Sequence, residues 1–186
     1  MTPIRALTLT LIVVAALALQ AKPPEIGWHS APETAYAVAR GQNKLLLVYY
    51  RRDCMKCNAS MDALLEKAAE DDVFMHVLDA YLPLRVTAGP TQPKHPLVDD
   101  LAKLPFAPAL VIYDSSGAQI SILDRKLRWD GVMEELLRFR GERPRIIRAT
   151  ELRVAGQVPE ADLLLGTALL NSREVRAAAY WLDRSM

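Results

Sequence analysis

Cysteine is almost missing from this chain: 186 residues contain two, Cys54 and Cys57. A tetrahedral zinc site would need two further ligands, and His29, His76 and His95 show no ligand spacing. An excess of one charge is missing as well. The 23 basic and 22 acidic residues leave a net charge of +1, which gives no footprint for nucleic acid and no acidic or basic tail. The N-terminal apolar stretch from Ala6 to Leu19, interrupted only by Thr8 and Thr10, falls short of the ~20 residues that a membrane-spanning helix needs. At 51% hydrophobic content, the chain is still long enough for one well-packed core and an appendage.

That N-terminal stretch follows a single basic residue, Arg5. It ends in small residues at Ala16-Leu17-Ala18 and Leu19-Gln20-Ala21, before the break Lys22-Pro23-Pro24. Residues 1–21 therefore have the form of a secretory signal peptide, with no cysteine at its end to carry a lipid. Left uncleaved, the same segment would tether the protein to a membrane. Either way the folded part is expected outside the cytoplasm, periplasmic or secreted, where disulfides form and persist.

Leu45 to Tyr50 is an unbroken apolar run, followed by a short polar turn and then Cys54-Met55-Lys56-Cys57 at the start of a helical pattern. A strand feeding Cys-x-x-Cys at a helix start is the layout of a thiol–disulfide redox centre. Unpaired N–H groups and the helix dipole stabilise a thiolate there, lowering its pKa from about 8.5 toward roughly 3.5–7.5. Residues three apart on a helix bring their Cα atoms within disulfide range. As a structural staple such a bridge would be weak, removing ~2 kcal/mol of unfolded-chain entropy against ~3 for a fifteen-residue loop. An inert disulfide, free thiols and a metal site are the competing readings.

In chain order, a helix is expected from Ala31 to about Arg40, stopped by Gly41-Gln42-Asn43. The run from Leu45 to Tyr50 suits a central strand buried on both faces. The helix from about Cys54 to Glu70 places Met61, Leu64, Leu65 and Ala68 on one side. Asp71-Asp72 caps a short helix to Leu78. Tyr81 to Thr87 is a strand in which Pro83 signals an end or an edge. Residues 88–96 form a loop, Leu97 to Leu104 a helical turn or two, and Ala109–Tyr113 and Gln119–Leu123 a hairpin about the turn Asp114-Ser115-Ser116-Gly117. An amphipathic helix follows from Asp130 to Arg140. The fold class expected is an α/β sandwich with a mixed sheet.

Trp28 with the 31–40 helix, Asn43-Lys44 and an apolar strand, Cys-x-x-Cys, then Ala107-Pro108-Ala109-Leu110-Val111-Ile112-Tyr113-Asp114 and Gly117 resemble the thioredoxin superfamily, above all its small secreted bacterial domains. The resemblance covers about Glu25 to Gly141, setting domains at 22–141 and 142–186. It implies Cys54 as the more exposed, attacking thiol, Cys57 as the resolving thiol, and Pro108 as a cis-proline that, with Ala107, meets the substrate. The helix dipole favours charge on the first sulfur too. Departures stand beside these matches. The buried acid that thioredoxins carry six residues before the first cysteine is Val48 here, and their preceding tryptophan is Asp53. Met55-Lys56 is neither Gly-Pro nor Pro-His. Asp53 opposes a thiolate whereas Arg51, Arg52 and Lys56 favour one, so Asp53 and Lys56 are candidate pKa modulators.

Beyond Gly141 the sequence becomes helical, and Leu165-Gly166-Thr167-Ala168-Leu169-Leu170 resembles the first helix of a tetratricopeptide unit. One such unit cannot bury its own apolar face, so it either docks on the first domain or meets a partner. The function expected is an exported thiol–disulfide oxidoreductase, a reductase or isomerase, acting on cysteines of other exported proteins. It would need an upstream redox partner, no nucleic acid, and no cofactor beyond the Cys54–Cys57 couple. The rivals are a non-catalytic interaction module that uses the helical tail, and a thiol chaperone for copper or haem-protein maturation.

Overall fold

A computed structural model describes residues 25–89, 95–123 and 128–186. The proposed signal segment and positions 90–94 of the 88–96 loop lie outside the described residues. Four strands, β1 (Leu45–Arg51), β2 (Tyr81–Thr87), β3 (Ala109–Tyr113) and β4 (Gln119–Leu123), form one sheet in the order β2-β1-β3-β4. β1 pairs parallel with β2 and antiparallel with β3, and β3 pairs antiparallel with β4. The expected hairpin therefore forms one edge, and β1 is central and buried along Leu45–Tyr50.

Pro83 does sit on an edge strand. Its carbonyl accepts from the His29 N–H (2.9 Å) on the side away from β1, so its missing donor costs the β1–β2 ladder nothing. The lead-in segment thus lies beside β2, with His29 bridging to Leu84.

Alternation along β1 feeds two cores. Leu45, Leu47 and Tyr49 face one layer, with α2 (Met55–Ala69), α3 (Asp72–Leu78) and α5 (Trp129–Val154). Leu46, Val48 and Tyr50 face the other, with α1 (Pro32–Gly41) and α4 (Pro96–Ala102). Asp71 caps α3 by accepting from the N–H groups of Val73 and Phe74. Sheet order, strand directions and the Cys-x-x-Cys helix directly after the central strand make this a thioredoxin-like α/β fold with a helical C-terminal part.

The helix expected over 130–140 continues without a break to Val154, carrying Gly141 and Pro144 inside it. An internal proline costs about 3 kcal/mol or more. Here Val132, Leu136 and Phe139 before it and Ile146 and Ala149 after it are all buried in one core, which holds the helix together across the lost hydrogen bond. α6 (Val158–Asn171) and α7 (Val175–Arg184) then pack back, and Leu165, Ala168, Leu169 and Ala178 join the same core as the sheet. The helical tail thus docks on the first domain, one of the outcomes expected for it. Gly166 lets α6 and α7 approach closely: a Cβ there would lie 2.7 Å from Leu182 Cγ. Among the described residues no helix is long and apolar enough to cross a membrane.

Candidate functional site

Cys54 is the N-cap of α2, in extended conformation, and its Sγ is disulfide-bonded to Cys57 with the Cα atoms 5.3 Å apart. The Cys57 N–H, a first-turn donor with no carbonyl four residues back in the helix, donates to Cys54 Sγ (3.3 Å) and to Cys54 O (3.2 Å). A negative charge on Cys54 would therefore meet both a donor and the positive end of a fifteen-residue helix.

The turn that presents this sulfur is pinned from below by Asn58, which the sequence did not single out. The residue is 1% exposed. The amide oxygen accepts from Arg52 N–H (3.0 Å), and the amide nitrogen donates to Arg52 O and Cys54 O (2.8 Å each). One neutral side chain thereby satisfies three backbone groups of the Arg52–Cys54 turn. Its only sequence signal was a polar residue one turn into an otherwise apolar-faced helix.

Neither cysteine is a buried residue, and taken as whole residues their exposure is the reverse of what the resemblance implies. Cys57 is exposed and Cys54 half-buried. Asp53 and Met55 beside them are exposed as well, Met55 to 87%. Cys57 opens onto a groove of about 490 Å³ whose other walls include Arg52, Met61 and Leu64 from the α2 side and Ala107, Pro108 and Leu123 from the sheet side. The Ala107–Pro108 peptide is cis. The structure thus brings Cys57, Ala107 and Pro108 around one groove.

The charges near the motif divide. Arg52, Asp53 and Lys56 are exposed, where screening weakens their pull on a sulfur. Arg51 is engaged elsewhere: its guanidinium pairs with Asp62 (2.9 Å), which also accepts from the Tyr49 hydroxyl (2.9 Å). Burial and that hydrogen bond push the Tyr49 pKa up, so the phenol remains a proton donor to Asp62. Val48, at the position of the acid in thioredoxins, points into the opposite layer among apolar side chains. Among the described residues no group of three or more His, Cys, Asp or Glu could hold a metal ion.

Comparison with known proteins gives structural likeness only. No family model matches the chain, and no curated protein matches it. Among solved structures, a thioredoxin from Thermus thermophilus, determined in solution, is 17% identical, with a TM-score of 0.46 over 63% of this chain and 88% of its own. A DsbH oxidoreductase is 16% identical, with a TM-score of 0.42 over 63% of this chain and 90% of its own.

Proposed function

We propose that this protein is an exported thiol–disulfide oxidoreductase that reduces or isomerises disulfides in other exported proteins through the Cys54–Cys57 couple. The observation that carries this reading is a reachable disulfide at the N-terminus of α2, beside a groove lined by Ala107 and Pro108. In the reductive direction a Cys54 thiolate attacks a substrate disulfide, and Cys57 then attacks the Cys54 sulfur of the mixed disulfide and releases the substrate thiol. The Cys57 N–H directed at Cys54 Sγ supports Cys54 as the sulfur that carries the charge. An upstream thiol donor returns the pair to the dithiol, and no dissociable cofactor takes part.

The deciding experiment is dithiothreitol-dependent insulin reduction by wild type and by Cys54→Ser. Loss of accelerated turbidity in the variant is expected, and equal turbidity from the two proteins would remove the enzymatic reading. The reduction potential against glutathione then fixes the direction of electron flow.

A further inference from the structure

The outer side of the α6–α7 hairpin carries a contiguous apolar face. On α6, Leu163 and Leu170 are 53% and 51% exposed. Thr167 lies between them and donates its hydroxyl to the Leu163 carbonyl (2.8 Å), so that group is satisfied within its own helix. Spacings of four and three residues put all three on one stripe. On α7, Val175, Ala179 and Tyr180 are exposed, Val175 to 62% and Tyr180 to 57%. The inner sides of both helices are already used, because Leu165, Ala168, Leu169 and Ala178 belong to the core. Single exposed apolar residues are ordinary, whereas a continuous patch marks a contact surface.

The charges of the hairpin divide along the same line. Asp162, Glu174 and Arg184 are engaged within the fold. Glu160, Arg173, Arg176 and Asp183 are exposed and hold no hydrogen bond or ion pair among the described residues. Their order is self-complementary. Arg176 and Asp183 stand three residues outside Ala179 and Tyr180, and Glu160 and Arg173 stand three residues outside Leu163 and Leu170. A two-fold axis across the hairpin lays each helix antiparallel on its copy. Arg176 then meets Asp183 of the partner subunit, and Glu160 meets Arg173 of the partner subunit, each pairing occurring twice. Gly166 sits against Leu182, which holds the midpoints of the two helices at nearly one height, so a single axis serves both.

We infer that the protein is a homodimer whose interface is this outer face of α6 and α7, two hairpins closing on each other as a four-helix arrangement. The occupant is a second copy because both signs of charge are present in an order that matches itself; a wholly acidic or wholly basic partner would oppose half of them.

Sedimentation velocity tests this on protein expressed from the full chain, over about 1 to about 100 μM, where a monomer–dimer equilibrium is expected. Arg176→Asp puts like charges at both ends of the α7 contact, and Asp183→Arg does so with the other sign. Each should weaken dimerisation by at least roughly tenfold. The two exchanges combined restore opposite pairing and should bring the dissociation constant back to within about threefold of wild type. Leu163→Glu should leave only monomer, with an unchanged far-ultraviolet circular dichroism spectrum. A monomer at every concentration would overturn the inference and leave the face to a protein of another sequence. A dimer unmoved by the single exchanges, or a combined exchange no better than either alone, would also overturn it, because association would then run through a different surface.

Discussion

The redox turn and the junction between α5 and α6 both bring polar groups against an apolar core, and they satisfy them by opposite means. Beneath the turn the buried group is neutral: Asn58 bonds to Arg52 and Cys54 backbone atoms, while Arg52, Asp53 and Lys56 stay in solvent. At the junction the buried groups are carboxylates. Asp114 and Asp162 are each 0% exposed, and Arg153 bonds to both, at 3.2 and 2.8 Å. Asp114 also accepts from Ser116 N–H, Ala118 N–H and the Thr150 hydroxyl. Arg184 approaches Asp162 at 3.2 Å, without hydrogen-bond alignment, and both arginines lie about 5 Å from the Trp181 ring centre, at 4.8 and 5.0 Å. Neutral support fixes the shape of the turn while leaving the sulfurs free to change charge. Charged support costs desolvation but ties the hairpin turn, α5, α6 and α7 into one register.

The largest way to break this contrast is Arg153→Met. It leaves two buried carboxylates short of their shared cation, and a loss of about 3–5 kcal/mol is expected by urea unfolding. Arg153→Met combined with Asp162→Asn should cost less than the two single changes added together, because each removes the same interaction. Insulin reduction, measured where the variants are still folded, should change little. Additive losses would show that Arg153 and Asp162 do not act as a unit.

Gly166→Val tests the junction through packing instead of charge. The added branch meets Leu182, whose side chain can shift but whose backbone nitrogen lies 3.1 Å from the first added carbon. A loss of about 1–3 kcal/mol is expected. Asn58→Ala is the matching test at the turn. It should cost about 1–2 kcal/mol, because water reaches some of the freed backbone groups. Unlike the junction variants, it should change the rate at which Cys54 is alkylated in the reduced protein. An unaltered alkylation rate would mean that Asn58 supports the fold without positioning the sulfur.

What could be read from the sequence follows the range of the interactions involved. The strands Tyr81–Thr87, Ala109–Tyr113 and Gln119–Leu123 form as expected, because apolar runs bounded by turn residues are local signals. Cys-x-x-Cys after a strand is equally local. α5 could not be delimited this way: Gly141 and Pro144 look like a stop, and only the buried stripe on both sides of them overrides it. Arg153 and Asp114 are 39 residues apart, and nothing in either neighbourhood marks them as partners. The exposure order of the two cysteines was missed for a related reason. It depends on what packs around each cysteine in space, which the motif's own residues do not encode.

The smallest effect concerns Glu135, which lies between the two regions' styles of support, partly buried yet ionisable. Burial raises its pKa, and the paired Arg138 (2.7 Å) opposes that rise only in part. One carboxylate oxygen is buried without a hydrogen-bond partner. For a carboxyl raised on folding, the favourable contribution is complete below the ordinary carboxylate range and disappears as pH climbs through the raised value. At neutral pH the ionised side chain is therefore a small burden on the fold. Glu135→Gln removes that charge and gives up part of the Arg138 pairing, so at pH 7 it should be neutral to stabilising by under about 1 kcal/mol. The difference from wild type should shrink as pH is lowered toward 4, where wild type takes up the proton itself. A variant clearly less stable than wild type at pH 7, with the deficit closing in acid, would mean that Arg138 outweighs burial, placing Glu135 with the paired carboxylates of the junction.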